Sequence, residues 1–267
     1  PTLSTSLGGM SSMVHGWTDT HCHIHDDKMA TSADESLQRA RDAGVEKFVV
    51  IGTDAETSTA AIAIAENHSD VWATVGLHPH DAKLGLDTVL PFVDSPRVVG
   101  IGECGLDFYY DHSDRDVQRD VFAAQIDLAN KHNLPLVIHT REAWADTFDV
   151  LDSVGVPERT IFHCFTGGEN EARECVKRGA YLSFSGIVTF KTADDVRAAA
   201  LWCPAENMLL ETDAPFLAPV PHRGRPNQPS LVPTVGTFIA DLRGEPVAQL
   251  AKTTTRNARL AFPGIAP

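Results

Sequence analysis

Apolar positions along this chain alternate between short continuous runs of strand length and longer stretches with helical spacing. The runs at residues 14–20, 45–51, 71–77, 98–103, 134–139, 160–163, 180–185 and 207–213 read as strands, most of them apolar on both faces, as in a buried parallel sheet. Between them, helices are expected at 32–44, 55–67, 84–93, 115–132, 142–153, 169–178 and 192–202, with closing helices at 232–242 and 246–262. In the first helix Ala33, Leu37, Ala40 and Ala43 share one side, and Gly44 suits a C-terminal stop. Residues 1–13, rich in Ser, Thr and Gly, read as a flexible arm, and no linker or composition shift divides 14–267, which is expected to be a single domain.

Eight strands alternating with helices over roughly 250 residues fit an α/β fold of the (β/α)₈ TIM-barrel class. An open doubly wound sheet would normally carry a Gly-rich phosphate turn after its first strand, and here that turn holds histidines instead.

The runs also share a way of ending. His21 and His23 stand at i and i+2 on the first, so both project from one face, with Cys22 turned away. The fourth ends on Glu103, the fifth on His139, the sixth on His163 and the eighth on Asp213. In a barrel all these ends meet at one face, where active sites are built. Four imidazoles and two carboxylates suffice for two divalent ions. Imidazole favours Zn or Mn, and the carboxylates keep Mg possible. Glu103 is placed to bridge two ions, and water between two cations is acidified without any reactive side chain. Asp213 could orient that water and take its proton, which makes Asp213 and Glu103 the catalytic candidates.

Composition narrows the substrate side. With 43% hydrophobic and 22% charged residues the chain is an ordinary globular protein, and no apolar run approaches the length that spans a bilayer. No signal-peptide pattern opens it, and five cysteines without C-x-x-C spacing suit a reducing compartment, so a cytoplasmic monomer or weak oligomer is expected. A formal charge of −14 argues against a broad basic surface, so an anionic substrate must be held by metal or by a local cluster. His80, Arg141, Arg223 and Arg225 are the candidates for that contact, alongside a loop or capping role for His80 and an ion pair of Arg141 with Asp107 or Glu142. Phe108, Tyr109 and Tyr110 could stack a base or simply pack.

The segments Asp19-Thr20-His21-Cys22-His23, Gly102-Glu103-Cys104-Gly105-Leu106-Asp107, Ile138-His139-Thr140-Arg141, His163-Cys164-Phe165-Thr166-Gly167 and Leu210-Glu211-Thr212-Asp213-Ala214-Pro215 together resemble the TatD hydrolases, metal-dependent deoxyribonucleases of the amidohydrolase superfamily. The resemblance implies a somewhat distorted TIM barrel with metal ligands at His21, His23, Glu103, His139, His163 and Asp213. It also implies hydrolysis of DNA phosphodiester bonds, of the 3′–5′ exonuclease type, at single strands or ends. An amide or ester hydrolase, such as an aminoacyl-tRNA or small-molecule deacylase, uses the same water-activating site and is the alternative. One departure is visible. The family's Asn-Glu-Pro is here Asn227-Gln228-Pro229, with a neutral amide where an acid could pair with an arginine.

Overall fold

The computed structural model describes residues 14–265, so the expected arm at 1–13 lies outside the described residues. Eight parallel strands follow one another around a single sheet in sequence order: β1 (Trp17–Cys22), β2 (Val45–Ile51), β3 (Val71–Val75), β4 (Val98–Asp107), β5 (Leu136–Arg141), β6 (Thr160–Phe162), β7 (Tyr181–Phe184) and β8 (Met208–Leu210). The helices are α1 (Ala33–Asp42), α2 (Ala55–Asn67), α3 (Arg115–His132), α4 (Trp144–Val154), α5 (Glu169–Lys177), α6 (Asp194–Trp202), α7 (Val232–Arg243) and α8 (Val247–Ala261). This is the expected TIM barrel, and its seam is thin. The sheet closes through one parallel bridge, Cys22 with Ala214, flanked by the His23 amide on the Ala214 carbonyl at 2.7 Å and the Asp213 amide on the His21 carbonyl at 2.9 Å.

Local chemistry sets most element ends. The Asp54 side chain accepts the Thr57 amide at 2.8 Å while the Thr57 hydroxyl caps the Asp54 amide at 3.0 Å, a reciprocal cap that starts α2. Ser32 accepts the Glu35 amide ahead of α1, and α3 stops at Asn133 in the left-handed region. The helix expected at 84–93 does not form. Gly85 at φ +84° interrupts it, Pro91 withholds an amide, and two short 3₁₀ turns, Leu86–Thr88 and Leu90–Phe92, replace it, with Leu84 and Leu90 left exposed.

Phe48, Val50, Ile101, Phe162 and Phe184 pack into the large apolar cluster shared with the helices. Val49, Ile51, Val99, Val137, Ile161 and Leu209 gather instead around Phe262 and Ile265 from the chain's end, forming a second apolar cluster. The polar groups collect at the opposite, C-terminal ends of the strands, where the site lies. No described helix is long and apolar enough to cross a membrane.

Candidate metal centre

β1 delivers His21 and places His23 one residue beyond its end, and both imidazoles turn the same way, as the i, i+2 spacing requires. Their Nε2 atoms are 3.1 Å apart. The other separations are His21 Nε2 to Asp213 Oδ1 3.6 Å and to Glu103 Oε2 3.4 Å, and His23 Nε2 to Asp213 Oδ1 3.3 Å and to Glu103 Oε2 3.7 Å. Four donors around one tetrahedral ion at ordinary His or carboxylate distances stand about 3.4 Å apart. The spacing fits such a cradle.

The other oxygen of Glu103 faces a second group: His163 Nε2 at 2.8 Å, His139 Nδ1 at 3.0 Å and His78 Nε2 at 3.4 Å. One carboxylate therefore joins two clusters of donors. His21 Nδ1 and Glu211 Oε2 are buried without a hydrogen-bond partner. Such orphaned atoms in a nest of imidazoles and carboxylates are what a site built for cations presents. Among the described residues, the sets able to hold an ion are His21, His23 and Asp213; His78, Glu103 and His139; and His21, His163 and Glu211.

The proton affinities point the same way. Burial would raise the Glu103 carboxyl, but the fields of His163 and His78 and the hydrogen bonds from His139 and His163 hold it well below the usual carboxylate range. Burial would lower His163, yet Glu103 and Glu211 push it well above the ordinary imidazole value. Asp213, against the pull of its own burial, is kept low by His23, His21 and His163. In each case the nest draws positive charge to itself. Burial lowers His21 and lowers His78 to about 4, the latter a neutral ring with a lone pair to offer.

Behind the donors stands a second layer. Asp107 Oδ2 is 3.1 Å from His139 Nε2 and 3.0 Å from His80 Nε2, which orients both rings. Glu211 Oε1 is 3.3 Å from His163 Nδ1 and accepts the Cys164 amide at 2.8 Å. Asp19 accepts the amides of Thr212 and His21 through Oδ1, tying the strand end that bears Asp213 to β1; burial pushes its carboxyl up to about 8.

All six strand-end residues are thus brought together, and His78, from the loop after β3, joins them. Asp107 contacts His80 and His139, and Glu211 contacts His163, each from a different strand end. The one sequence signal for Glu211 is its i, i+2 spacing from Asp213, the same spacing as His21 and His23. His80 is tied to Asp107. Arg141 is exposed, its guanidinium 4.0 Å from the Tyr109 ring centre and 4.8 Å from that of Tyr110, so it pairs with neither Asp107 nor Glu142. Arg223 lies over the Phe190 ring at 3.8 Å, and Arg225 is exposed in the same loop. Gln228 keeps an acceptor for an arginine despite losing the acid: its Oε1 is 3.4 Å from Arg39 Nη1. Cys22 and Cys104 are buried with their Sγ atoms directed at the Val49 and Val137 carbonyls rather than at the donors.

A family model described as TatD related DNase matches residues 18–263. An uncharacterized metal-dependent hydrolase, YabD, of Bacillus subtilis is 40% identical over 249 residues, covering 91% of this chain and 98% of that relative. The 3′–5′ ssDNA/RNA exonuclease TatD of Erwinia tasmaniensis is 35% identical over 255 residues, covering 91% and 98%. The crystal structure of YJJV, a TatD homolog from Escherichia coli, superposes with a TM-score of 0.88 at 31% identity, covering 96% of this chain and all of the other.

Proposed function

Because the chain belongs to the TatD-related DNase family of metal-dependent hydrolases, we propose that it removes nucleotides from single-stranded DNA ends as a 3′–5′ exonuclease. Two divalent ions, Mg, Mn or Zn, are held by His21, His23, Glu103, His139, His163 and Asp213 in this reading. The observation that carries it is Glu103, whose two oxygens face two separate donor groups at 2.8 to 3.7 Å. When bound, such ions neutralise a phosphodiester and acidify water.

The chain's own residues do the rest. Asp213, ionised and at the mouth of the first donor group, accepts the proton of the attacking water. Glu103 fixes the spacing of the two groups, and Asp107 and Glu211 keep the imidazoles turned inward. His80, Arg141, Arg223 and Arg225 supply the local contacts to phosphate that a chain of net charge −14 does not supply over its surface at large.

The test is a panel of end-labelled single-stranded and duplex oligonucleotides with each metal restored to chelator-treated protein. We expect stepwise shortening from the 3′ end of single strands, reduced about 10²-fold or more by Asp213→Asn, the scale on which general-base catalysis contributes. Strands left intact by protein loaded with each of the three metals overturn the nuclease reading.

A further inference from the structure

The loop leaving β4 carries two half-exposed tyrosines. Phe108 turns inward and packs on the core, whereas Tyr109 and Tyr110 are 53% and 50% exposed. Their rings meet edge to face, 4.7 Å between centroids and 89° between planes. Arg141, from the end of β5, lies over both. His112 lies parallel to Tyr110 at 5.5 Å. Arg141 makes no ion pair with any described carboxylate, and the nearby Asp111 is taken up by Arg115, with hydrogen bonds of 2.8 Å.

The shelf is also fastened to the site. The amides of Tyr109 and Tyr110 both donate to Asp107 Oδ1, each at 3.0 Å, while Asp107 Oδ2 stands 3.1 Å from His139 Nε2. A single carboxylate therefore joins the two tyrosine backbones to one of the donor imidazoles. Unpaired bases stack on tyrosine faces and on guanidinium planes, and Arg also meets the adjoining phosphate.

Resting on the nuclease reading above, we propose that Tyr109, Tyr110 and Arg141 form a stacking subsite for the unpaired base beside the phosphate being cut. The subsite makes single strands the preferred substrate, because a base inside a duplex must leave its stack and its partner before it can reach the shelf.

The test measures binding separately from cleavage. Metal-loaded protein is titrated into a labelled thymidine hexamer with phosphorothioate linkages, and into the same hexamer with one abasic residue placed at each position in turn. We expect removal of one particular base to weaken binding by roughly 5- to 150-fold, the range for a single stacked base. Tyr109→Ala with Tyr110→Ala should weaken the intact hexamer by a similar factor and flatten the positional profile, which a general loss of stability would not do. Arg141→Gln should reduce the dependence of log K on log salt by about 0.7. A double variant that keeps the full profile, a flat wild-type profile, or no binding overturns the subsite. Cleavage of the unmodified hexamer is scored in parallel. Base-dependent binding without shortening leaves the shelf standing and removes the nuclease reading; shortening with a flat profile does the reverse.

Discussion

Glu103 faces a separate donor group with each oxygen, so Glu103→Gln, which turns one oxygen into an amide NH2, must disturb at least one of the two. Glu211 is a subtler case, because it reaches His163 through the outer nitrogen of the ring and also accepts the Cys164 amide. Glu211→Gln should leave the ring in place yet weaken its hold, lowering metal affinity about 10- to 100-fold in a competitive chelator titration. Unchanged affinity would mean that the backbone alone positions His163. Far from the site, Arg41 grips Asp70 with a two-pronged contact of 2.7 and 2.8 Å. Burial raises the Asp70 carboxyl, but the Arg41 fork outweighs it and holds the group below its ordinary value. A depressed carboxylate contributes stability that is present above its unfolded pKa and lost as pH falls through the folded one. Asp70→Asn should therefore cost about 1 kcal/mol at neutral pH, given partial exposure, and the gap to wild type should close between roughly pH 5 and pH 2. Parallel denaturation curves with a constant gap would refute this. The candidate ligands could be found in the sequence because each sits at or near the end of an apolar run. His78, Asp107 and Glu211 could not be assigned that way, since their roles come from neighbours 25 to 48 positions distant that only closure of the barrel supplies.

At the scale of elements, β4 departs most usefully from its pattern. The apolar run stops at Glu103, yet the strand continues to Asp107, because Gly105 pairs with His139 and Asp107 with Arg141 along β5. Gly105 adopts φ +134°, and a Cβ there would lie 2.0 Å from the His139 carbonyl oxygen. Gly105→Ala should destabilise the protein by about 3 kcal/mol and displace His139, visible as a lower melting temperature together with weakened metal binding. A variant that melts normally would show that β5 can yield. Strands β1 to β3 and helices α1 to α3 were legible from their apolar runs and caps. β6 and β8 are only three residues long, and nothing in the runs 160–163 and 207–213 shows that His163 and Asp213 have already left the ladder. Asp213 does so in the left-handed region, at φ +56°, which periodicity does not register. The failed helix at 84–93 has the same lesson in reverse: its apolar spacing was adequate, and Gly85 and Pro91 overruled it.

For the whole molecule, the metal centre and the stability of the barrel are coupled. Ions that bind only the folded chain add stability in proportion to the logarithm of their concentration over Kd. Removing them with a chelator should lower the melting temperature by roughly 5–10 °C if they are present at about 100 times Kd, and restoring them should raise it along a saturating curve. A melting temperature indifferent to chelator would argue that these side chains hold no ion. The seam between β1 and β8 gives this coupling a place. His21 and His23 stand on one side of it, Asp213 on the other, and only a few backbone contacts join the two edges. An ion shared by those three side chains is a rivet through the join of a hoop. Drawn out, it leaves the hoop intact but ready to gape at one spot, so the amide protons of His23 and Asp213 should be the first in the barrel wall to trade with solvent.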